Sequence, residues 1–202
     1  NLYYMKYKDQ FVQTGETSDI GEALTTNIKD SYRLGAEISA GVQLLKWLSL
    51  DGNIALSENR IKDFDEYVSG YDADWNEKTF VIHYDKSTLP YSPSVIGNVF
   101  LTARHKNLTA TWHSQGVSRQ YLDNSESKAR AIPGYGVSNV SLGYRFSTLS
   151  ILSKKSRLSK KTPAIELGLN LNNIFDRHFA QSGFVWYQYI ATSGERISHN
   201  SY

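Results

Sequence analysis

Five aromatic side chains are the best candidates for contacting a ligand. Tyr67, Tyr71 and Trp75 lie in one polar stretch, and Trp186 and Tyr187 lie in another near the end of the chain. Such rings can stack on a sugar, a haem or a metal chelate. They can also anchor a protein at a membrane–water boundary, because an apolar ring carries a polar tip. We assign these five residues as candidate ligand contacts, and anchoring is the favoured alternative.

Other residue types exclude several classes of site. The chain has no cysteine, which excludes a thiolate nucleophile, a thiolate metal site and a disulfide framework. The histidines lack the close spacing of metal ligands. They are His83, His105, His113, His178 and His199. No Ser–His–Asp order or paired carboxylate stands out, so we predict no metal site, no cofactor, no catalytic residue and no enzymatic activity.

Charged residues give little indication of a partner. The formal net charge is +2, which is too balanced to indicate binding to nucleic acid. Carboxylates cluster between Asp63 and Glu77, and a solvated loop is the simplest interpretation. Their spacing does not match a fixed set of oxygen ligands, so a Ca²⁺ site is not favoured.

The elements that carry these residues are predicted to be β-strands with one apolar face. Between Ala164 and Asp176, aliphatic residues recur at every second position and alternate with polar residues or glycine. Strand side chains point alternately to opposite faces, so such a segment has a hydrocarbon face and a polar face. The aliphatic residues are Ile165, Leu167, Leu169 and Leu171.

The alternation is longest between Tyr32 and Leu44, where it covers thirteen residues. Soluble strands usually have five or six residues, whereas a tilted strand needs about 9–11 to cross a bilayer. A second, shorter row on one parity includes Tyr3, Met5, Tyr7 and Phe11, with Asp9 interrupting it near its end. We assign these rows to a lipid-facing surface. The opposite rows are assigned to a lumen, with Arg33, Glu37, Asn98, Arg104, His113, Arg145, Glu166 and Asn170 among their members.

Short turns and long loops alternate along the chain. Short turns are predicted near Lys46 and at 105–107, and long polar loops at about 59–90 and 120–135. The tail, about 177–202, is predicted to be loop-like, and the basic stretch from Lys154 to Lys161 to be a periplasmic turn. About seven long strands result, in an all-β, antiparallel, up-and-down arrangement typical of an outer-membrane barrel.

Five stretches resemble TonB-dependent outer-membrane receptors, and they occur in the order found in that family. They are Gly52–Asn59, Ser92–Ile96, Gln120–Asn124, Gly136–Tyr144 and Leu171–Asp176. The last is similar to the family's penultimate barrel strand, with Asn172 and Asn173 followed by Ile174, Phe175 and Asp176. Gln120–Asn124 resembles versions from Bacteroidetes-like bacteria. We interpret the Asn-Asn motif as structural, because asparagine can satisfy backbone groups where a strand ends.

The resemblance implies a barrel of about 22 strands with a plug in its lumen. Residues 1–202 would be the C-terminal portion of that barrel, without the plug domain and the final strand. The implied function is TonB-powered import of an iron chelate, cobalamin, haem or a sugar across a bacterial outer membrane. Implied partners are the plug, TonB, the extracellular substrate, and outer-membrane lipid and lipopolysaccharide.

Two other functions remain open on the sequence alone. A soluble β-rich carbohydrate-binding module could show the same alternation of side chains. A passive porin-type barrel would share the wall but would not depend on TonB.

Overall fold

The computed structural model describes residues 1–17, 20, 22–72, 74–147, 164–190 and 195–201. Seven long strands form the main path of one antiparallel sheet, in the order β1-β2-β3-β5-β6-β9-β10. They are β1 (Leu2–Thr17), β2 (Ala23–Leu45), β3 (Leu48–Tyr71), β5 (Val95–His105), β6 (Leu108–Val117), β9 (Tyr135–Ser147) and β10 (Ala164–Leu171). This arrangement confirms the predicted up-and-down meander, which here is an open part of a barrel wall.

Further strands lie off this path. β4 pairs with β3, β11 pairs with β3 and β12, and β7 pairs with β8 in a separate small sheet. Their bounds are β4 (Glu77–Thr88), β7 (Gln120–Tyr121), β8 (Ala131–Ile132), β11 (Phe184–Ile190) and β12 (Glu195–Ser201). A 3-10 turn at Lys128–Arg130 precedes β8. Within the part of the chain described, no helix is long and apolar enough to span a membrane.

Cross-strand pairing joins the aliphatic rows into one band, because directly opposed residues lie on the same face of a sheet. Ile38 pairs with Ile54, which pairs with Gly97. Leu142 pairs with Leu169 on β10. The side chains of this band are exposed, as the outer wall of a membrane barrel requires. We call this surface the apolar face and the opposite surface the polar face.

The assignment of Tyr3, Met5 and Tyr7 to the lipid-facing surface was wrong. The three residues pair with Gly35, Arg33 and Ser31, which lie on the polar face. The Tyr3 ring lies over Gly35 so closely that a Cβ at Gly35 would overlap the Tyr3 hydroxyl oxygen. Tyrosine and methionine tolerate either environment, so their type did not identify the face.

In β1 and β3, the side chains that point to a given face change from odd-numbered to even-numbered residues, or the reverse, part-way along the strand. In β3 the buried residues are odd-numbered up to Ile61 and even-numbered from Phe64 onward, yet the two pack in one cluster. Asp63, between them, has a φ of 51°, and Asp9 in β1 has a φ of 53°. Aspartate tolerates this left-handed conformation better than most residues. The exchange explains why the sequence alternation breaks at Asp9.

Strands occupy much of two regions predicted as loops, and the short strands β7 and β8 lie in the third, at about 120–135. The stretch 59–90 is largely the upper part of β3 and the whole of β4, paired from Arg60↔Thr88 to Tyr71↔Glu77. The tail contains the β11–β12 hairpin. The loop prediction for 59–90 failed because apolar residues occur on both faces of the β3–β4 hairpin, so no simple alternation survives. The basic stretch from Lys154 to Lys161 lies outside the described residues.

Candidate functional site

The end of the sheet opposite the short turns at 46–47 and 106–107 carries the candidate ligand contacts. We call it the outer end, because outer-membrane barrels have short periplasmic turns and longer extracellular loops. Here β3 and β4 extend beyond β5 as a tall hairpin. The last residues of β3 pair in parallel with β11, through Gly70↔Tyr189 and Tyr71↔Ile190. This pairing places the backbones of both predicted aromatic groups at the same end.

Three of the five aromatic candidates lie in the upper part of that hairpin, with Tyr71 and Trp75 at its tip and Tyr67 below them. The Tyr71 and Trp75 rings are 6.1 Å apart and tilted by 44°. Trp75 is 73% exposed and Tyr67 61% exposed, so both rings are open to solvent. Trp186 and Tyr187 lie on β11, and their side chains are outside the described part of the structure.

Asp72 organises the turn that holds Trp75. Its Oδ1 accepts hydrogen bonds from the backbone N–H groups of Asp74 and Asn76, each at 2.9 Å. The backbone N–H of Trp75 donates to the backbone carbonyl of Asp72 at 3.1 Å, and Trp75 has a φ of 62°. The bond from the Asn76 N–H, followed by that from Asp74, lowers the pKa of Asp72. The turn therefore keeps an ionised carboxylate beside an exposed indole ring.

His83 on β4 lies between two carboxylates. Its Nδ1 is 2.7 Å from Asp65 Oδ1, and its Nε2 is 3.2 Å from Asp85 Oδ1. These contacts, chiefly that with Asp65, raise the pKa of His83 above its usual value of 6.5. Because the folded hairpin holds this proton more tightly than the unfolded chain, the contribution to stability is complete below the unfolded pKa. It is lost as the pH rises through the raised, folded pKa.

Substituting Asp65 should therefore lower the His83 pKa. We expect Asp65→Asn to shift the NMR titration midpoint of the His83 ring toward its usual value, because the nearest negative charge is removed. Asp74→Asn, on the same hairpin, is the control and should leave the midpoint unchanged. A midpoint equal in wild type and Asp65→Asn would contradict the assigned cause.

A second unit packs beside the end of β4 and has its own small core. Leu122, Ile132 and Val185 are buried together, with Tyr91 and Ala180 against them. A backbone hydrogen bond joins the two ends of this unit, from the Leu122 N–H to the Arg130 carbonyl at 3.0 Å. We call residues 120–132 the capping segment.

A buried ion pair lies inside the capping segment. Arg130 Nε is 2.5 Å from Asp123 Oδ2, and Asp123 is fully buried. Asp123 also accepts hydrogen bonds from the backbone N–H and hydroxyl of Ser125. Two side chains then tie the segment to the tall hairpin. Glu126 contacts Arg60 and Thr88, and the Ser87 hydroxyl donates to the Asn124 carbonyl.

A groove of about 530 Å³ lies at the outer end, where β1, β2 and the connection after β4 meet. Its walls include Gln10, Phe11, Val12, Arg33, Leu89, Pro90, Tyr91 and Ser182. Burial raises the pKa of the Tyr91 phenol, which donates to the Gly183 carbonyl at 3.1 Å. Arginine, glutamine and tyrosine give this groove hydrogen-bonding capacity, and none of the three was a sequence-predicted ligand contact.

The polar face carries a ladder of side chains across the wall. Asn98 Nδ2 donates to Asn53 Oδ1 at 3.1 Å, and His113 Nε2 is 3.0 Å from Asn98 Oδ1. His113 pairs in register with Asn139, whose Oδ1 accepts from the Asn173 N–H at 2.9 Å. The ladder therefore extends from β3 to the end of β10 on the surface predicted to face the lumen.

The second residue of the Asn-Asn motif forms the turn after β10. Asn173 has a φ of 51°. Its Oδ1 accepts from the Arg177 N–H at 3.0 Å, and its Nδ2 donates to the Arg177 carbonyl at 3.1 Å. One side chain thus satisfies both polar groups of a backbone residue four positions away. Asn172, Ile174, Phe175 and Asp176 are exposed around this turn.

The arrangement of these residues is suited to binding. Among the side chains that the structure describes, no group of three or more His, Cys, Asp or Glu residues could hold a metal ion. The outer end instead combines exposed aromatic rings, carboxylates and a groove with hydrogen-bonding walls. The wall below it has one apolar and one polar face.

A known protein family combines a wall of one apolar and one polar face with long loops at one end. The family model described as TonB dependent receptor-like, beta-barrel matches residues 1–174. The chain belongs to this family. The membership confirms the resemblance to TonB-dependent receptors and the transmembrane β-barrel class.

Two solved structures have the same fold as this chain. The first is described as copper transporter OprC, with a TM-score of 0.57 and 17% identity over 89% of this chain. The second is described as the ferric-catecholate import receptor Fiu from E. coli K12, with a TM-score of 0.52 and 17% identity over 99% of this chain. The matches cover only 23% and 22% of those two chains. No curated protein matches this chain.

Proposed function

We propose that this chain supplies barrel wall and outer loops to a receptor that imports a large, scarce substrate across the outer membrane with energy from TonB. Residues 1–202 would be the C-terminal portion of its barrel. The plug, which occupies the lumen, and the final strand would be supplied by the rest of the receptor. Family membership over residues 1–174 is the observation that carries this proposal.

The geometry of the wall supports the proposal. The polar ladder of Asn53, Asn98, His113 and Asn139 offers donors and acceptors to a plug in the lumen. The apolar face offers hydrocarbon to lipid on the other side. A soluble carbohydrate-binding module would have to cover this exposed aliphatic band, so the family and the band together argue against it.

The outer end is the proposed contact region for the substrate. Tyr67 and Trp75 provide exposed rings, and the half-buried Tyr71 lies beside Trp75. We keep Trp186 and Tyr187 as further candidates because β11 lies beside the tip of β3. Iron chelates, cobalamin, haem and sugars all present surfaces on which such rings can stack. The chain contributes binding groups and no catalytic step.

The energy requirement distinguishes the proposed transporter from a passive barrel. In the source bacterium, loss of the receptor gene should abolish growth on one limiting substrate from this group. Loss of TonB should abolish the same growth, because movement of the plug requires that energy. A passive porin-type barrel predicts uptake that persists without TonB, and that result would overturn the proposal.

Removing the ring faces should weaken substrate binding by the whole receptor. We expect the triple variant Tyr67→Ala, Tyr71→Ala, Trp75→Ala to reduce affinity roughly 10-fold or more, since each aromatic contact contributes about 0.5–1.5 kcal/mol. Binding to purified receptor would be measured by calorimetry. Glu77→Ala, exposed on the same hairpin, is the control and should bind normally. An unchanged affinity in the triple variant would assign these rings to anchoring alone.

A further inference from the structure

A basic patch lies on the outer wall immediately above the aliphatic band. Leu34, near the outer end of the band on β2, pairs with Glu58. Two residues further toward the outer end, Tyr32 pairs with Arg60 and with Lys6. Alternate residues of a strand share a face, so these side chains continue the apolar face outward. The aliphatic surface therefore changes into a charged one within two residues.

Two residues further toward the outer end, Lys62 and Lys86 lie directly opposite each other on neighbouring strands. Asp30 pairs with Lys8 on one side and with Lys62 on the other, and Lys62 pairs with Lys86. Like charges in direct cross-strand positions destabilise a sheet. An anion placed between Lys62 and Lys86 would remove this repulsion.

The ring of Tyr32 is the centre of the patch. Lys62 Nζ is 5.4 Å and Lys86 Nζ is 5.6 Å from the centroid of this ring. Tyr4 lies beside it, with ring centroids 6.1 Å apart. Paired tyrosines at the edge of an aliphatic band mark the boundary between hydrocarbon and headgroups. The two ammonium groups are therefore held at the level of the headgroups.

The carboxylates of the patch do not neutralise it. Lys86 contacts Glu58 at 3.0 Å, Lys6 contacts Asp30 at 3.6 Å, and Arg60 contacts Glu58 and Glu126. Five basic side chains thus face three carboxylates, which leaves an excess of two positive charges. Among the described residues, no carboxylate oxygen lies within 4 Å of the ammonium of Lys8 or Lys62. The basic residues are Lys6, Lys8, Arg60, Lys62 and Lys86.

We propose that this Tyr32 patch binds the phosphate group of an outer-leaflet lipid headgroup, with Lys62 and Lys86 as its principal ligands. A lipid is the occupant because the patch lies on the lipid-facing side and continues directly from the aliphatic band, so a bound lipid's acyl chains would lie along Leu34 and Ile38. Clusters of basic residues next to a membrane surface attract anionic headgroups. The site is separate from the substrate path, and it does not depend on which substrate is imported.

Lipid retention by the whole receptor tests the site. Purified receptor would be placed in nanodiscs of phosphatidylcholine that contain a minor fraction of a phosphorylated lipid A. The lipid A that remains bound to the receptor would be measured by native mass spectrometry. We expect Lys62→Gln with Lys86→Gln to weaken binding roughly 30-fold, since each basic residue near the surface contributes about fivefold. Lys46→Gln with Lys106→Gln, at the short turns of the opposite end, should bind as wild type does.

Three comparisons separate the alternatives. The double variant Lys62→Arg, Lys86→Arg keeps both charges and should retain most of the binding, which shows that the loss in the glutamine variant is not a folding defect. Lipid A without phosphate should bind as weakly as the glutamine variant does. The proposal is overturned if dephosphorylated lipid A binds equally well, if the glutamine variant binds normally, or if millimolar inorganic phosphate displaces the lipid.

Discussion

Arg130→Met is expected to open the capping segment while the barrel wall stays folded. Asp123 is fully buried and its charge is opposed by Arg130 at 2.5 Å. Removing one member of a buried ion pair leaves the other as an uncompensated charge, which costs about 3–5 kcal/mol. The apolar core of the segment, centred on Leu122, Ile132 and Val185, is too small to offset that cost. Neither the ion pair nor this core contains a residue of the seven-strand wall.

Hydrogen exchange measured on the whole receptor would localise the effect. The Leu122 N–H, which donates to the Arg130 carbonyl, and the Tyr91 N–H, which donates to the Tyr121 carbonyl, should exchange much faster in Arg130→Met. Amides of β5 and β6 should keep their protection. Lys128→Met removes an exposed positive charge from the same 3-10 turn and should change neither set.

A second substitution tests whether the buried charge is the cause. Adding Asp123→Asn to Arg130→Met removes the uncompensated carboxylate, so the exchange rates should return part of the way toward wild type. Equal exchange in Arg130→Met and Lys128→Met would show that the ion pair does not hold the segment.

The alternation of apolar and polar residues predicted the two faces of the sheet between the short turns and the outer end, which we call the lower wall. In a membrane barrel, each wall strand has lipid on one side and water or a plug on the other, so apolar and polar residues alternate along its sequence. The rows containing Ile38 and Leu169 could therefore be assigned without a structure. Their opposite rows, with Glu37 and Asn170, followed from the same rule.

In the outer parts of the strands, the alternation counted along the sequence no longer predicts which face a side chain occupies. In β1 and β3, Asp9 and Asp63 take left-handed conformations, and in β3 the buried positions change from odd to even numbers beside Asp63. Parity counted from the lower wall is then wrong by one residue. For the same reason the upper part of β3 and β4 resembled a polar loop in the sequence.

The features of the outer end depend on contacts between distant parts of the chain. The Tyr32 patch joins Lys6, Lys62 and Lys86, which only the pairing register brings together. Asp123 and Arg130 are close in sequence, but nothing in their spacing shows that both are buried. The aromatic residues could be proposed from their type alone, whereas the parallel pairing of β11 with β3 could not.

A charge placed in the aliphatic band should produce the other large effect. Ile38 is 58% exposed on the apolar face, about half-way along the band on β2. Arginine on the lipid face of a barrel at the bilayer midplane costs about 2–4 kcal/mol. We expect Ile38→Arg to lower the unfolding free energy of the whole receptor in phospholipid vesicles by that amount, as measured by denaturant titration.

The adjacent residue provides the matched control. Ser39 pairs with Asn53 on the polar face, so Ser39→Arg adds the same charge one residue away but points it toward the lumen. It should cost much less than Ile38→Arg. Leu169→Arg and Asn170→Arg repeat the comparison on β10, which lies five strands beyond β2 along the path of the sheet. Equal losses within both pairs would mean that the apolar face does not contact lipid, and the assigned orientation of the wall would then be wrong. A loss confined to Ile38 and Leu169 would establish the band as the surface of the barrel that contacts the hydrocarbon of the membrane.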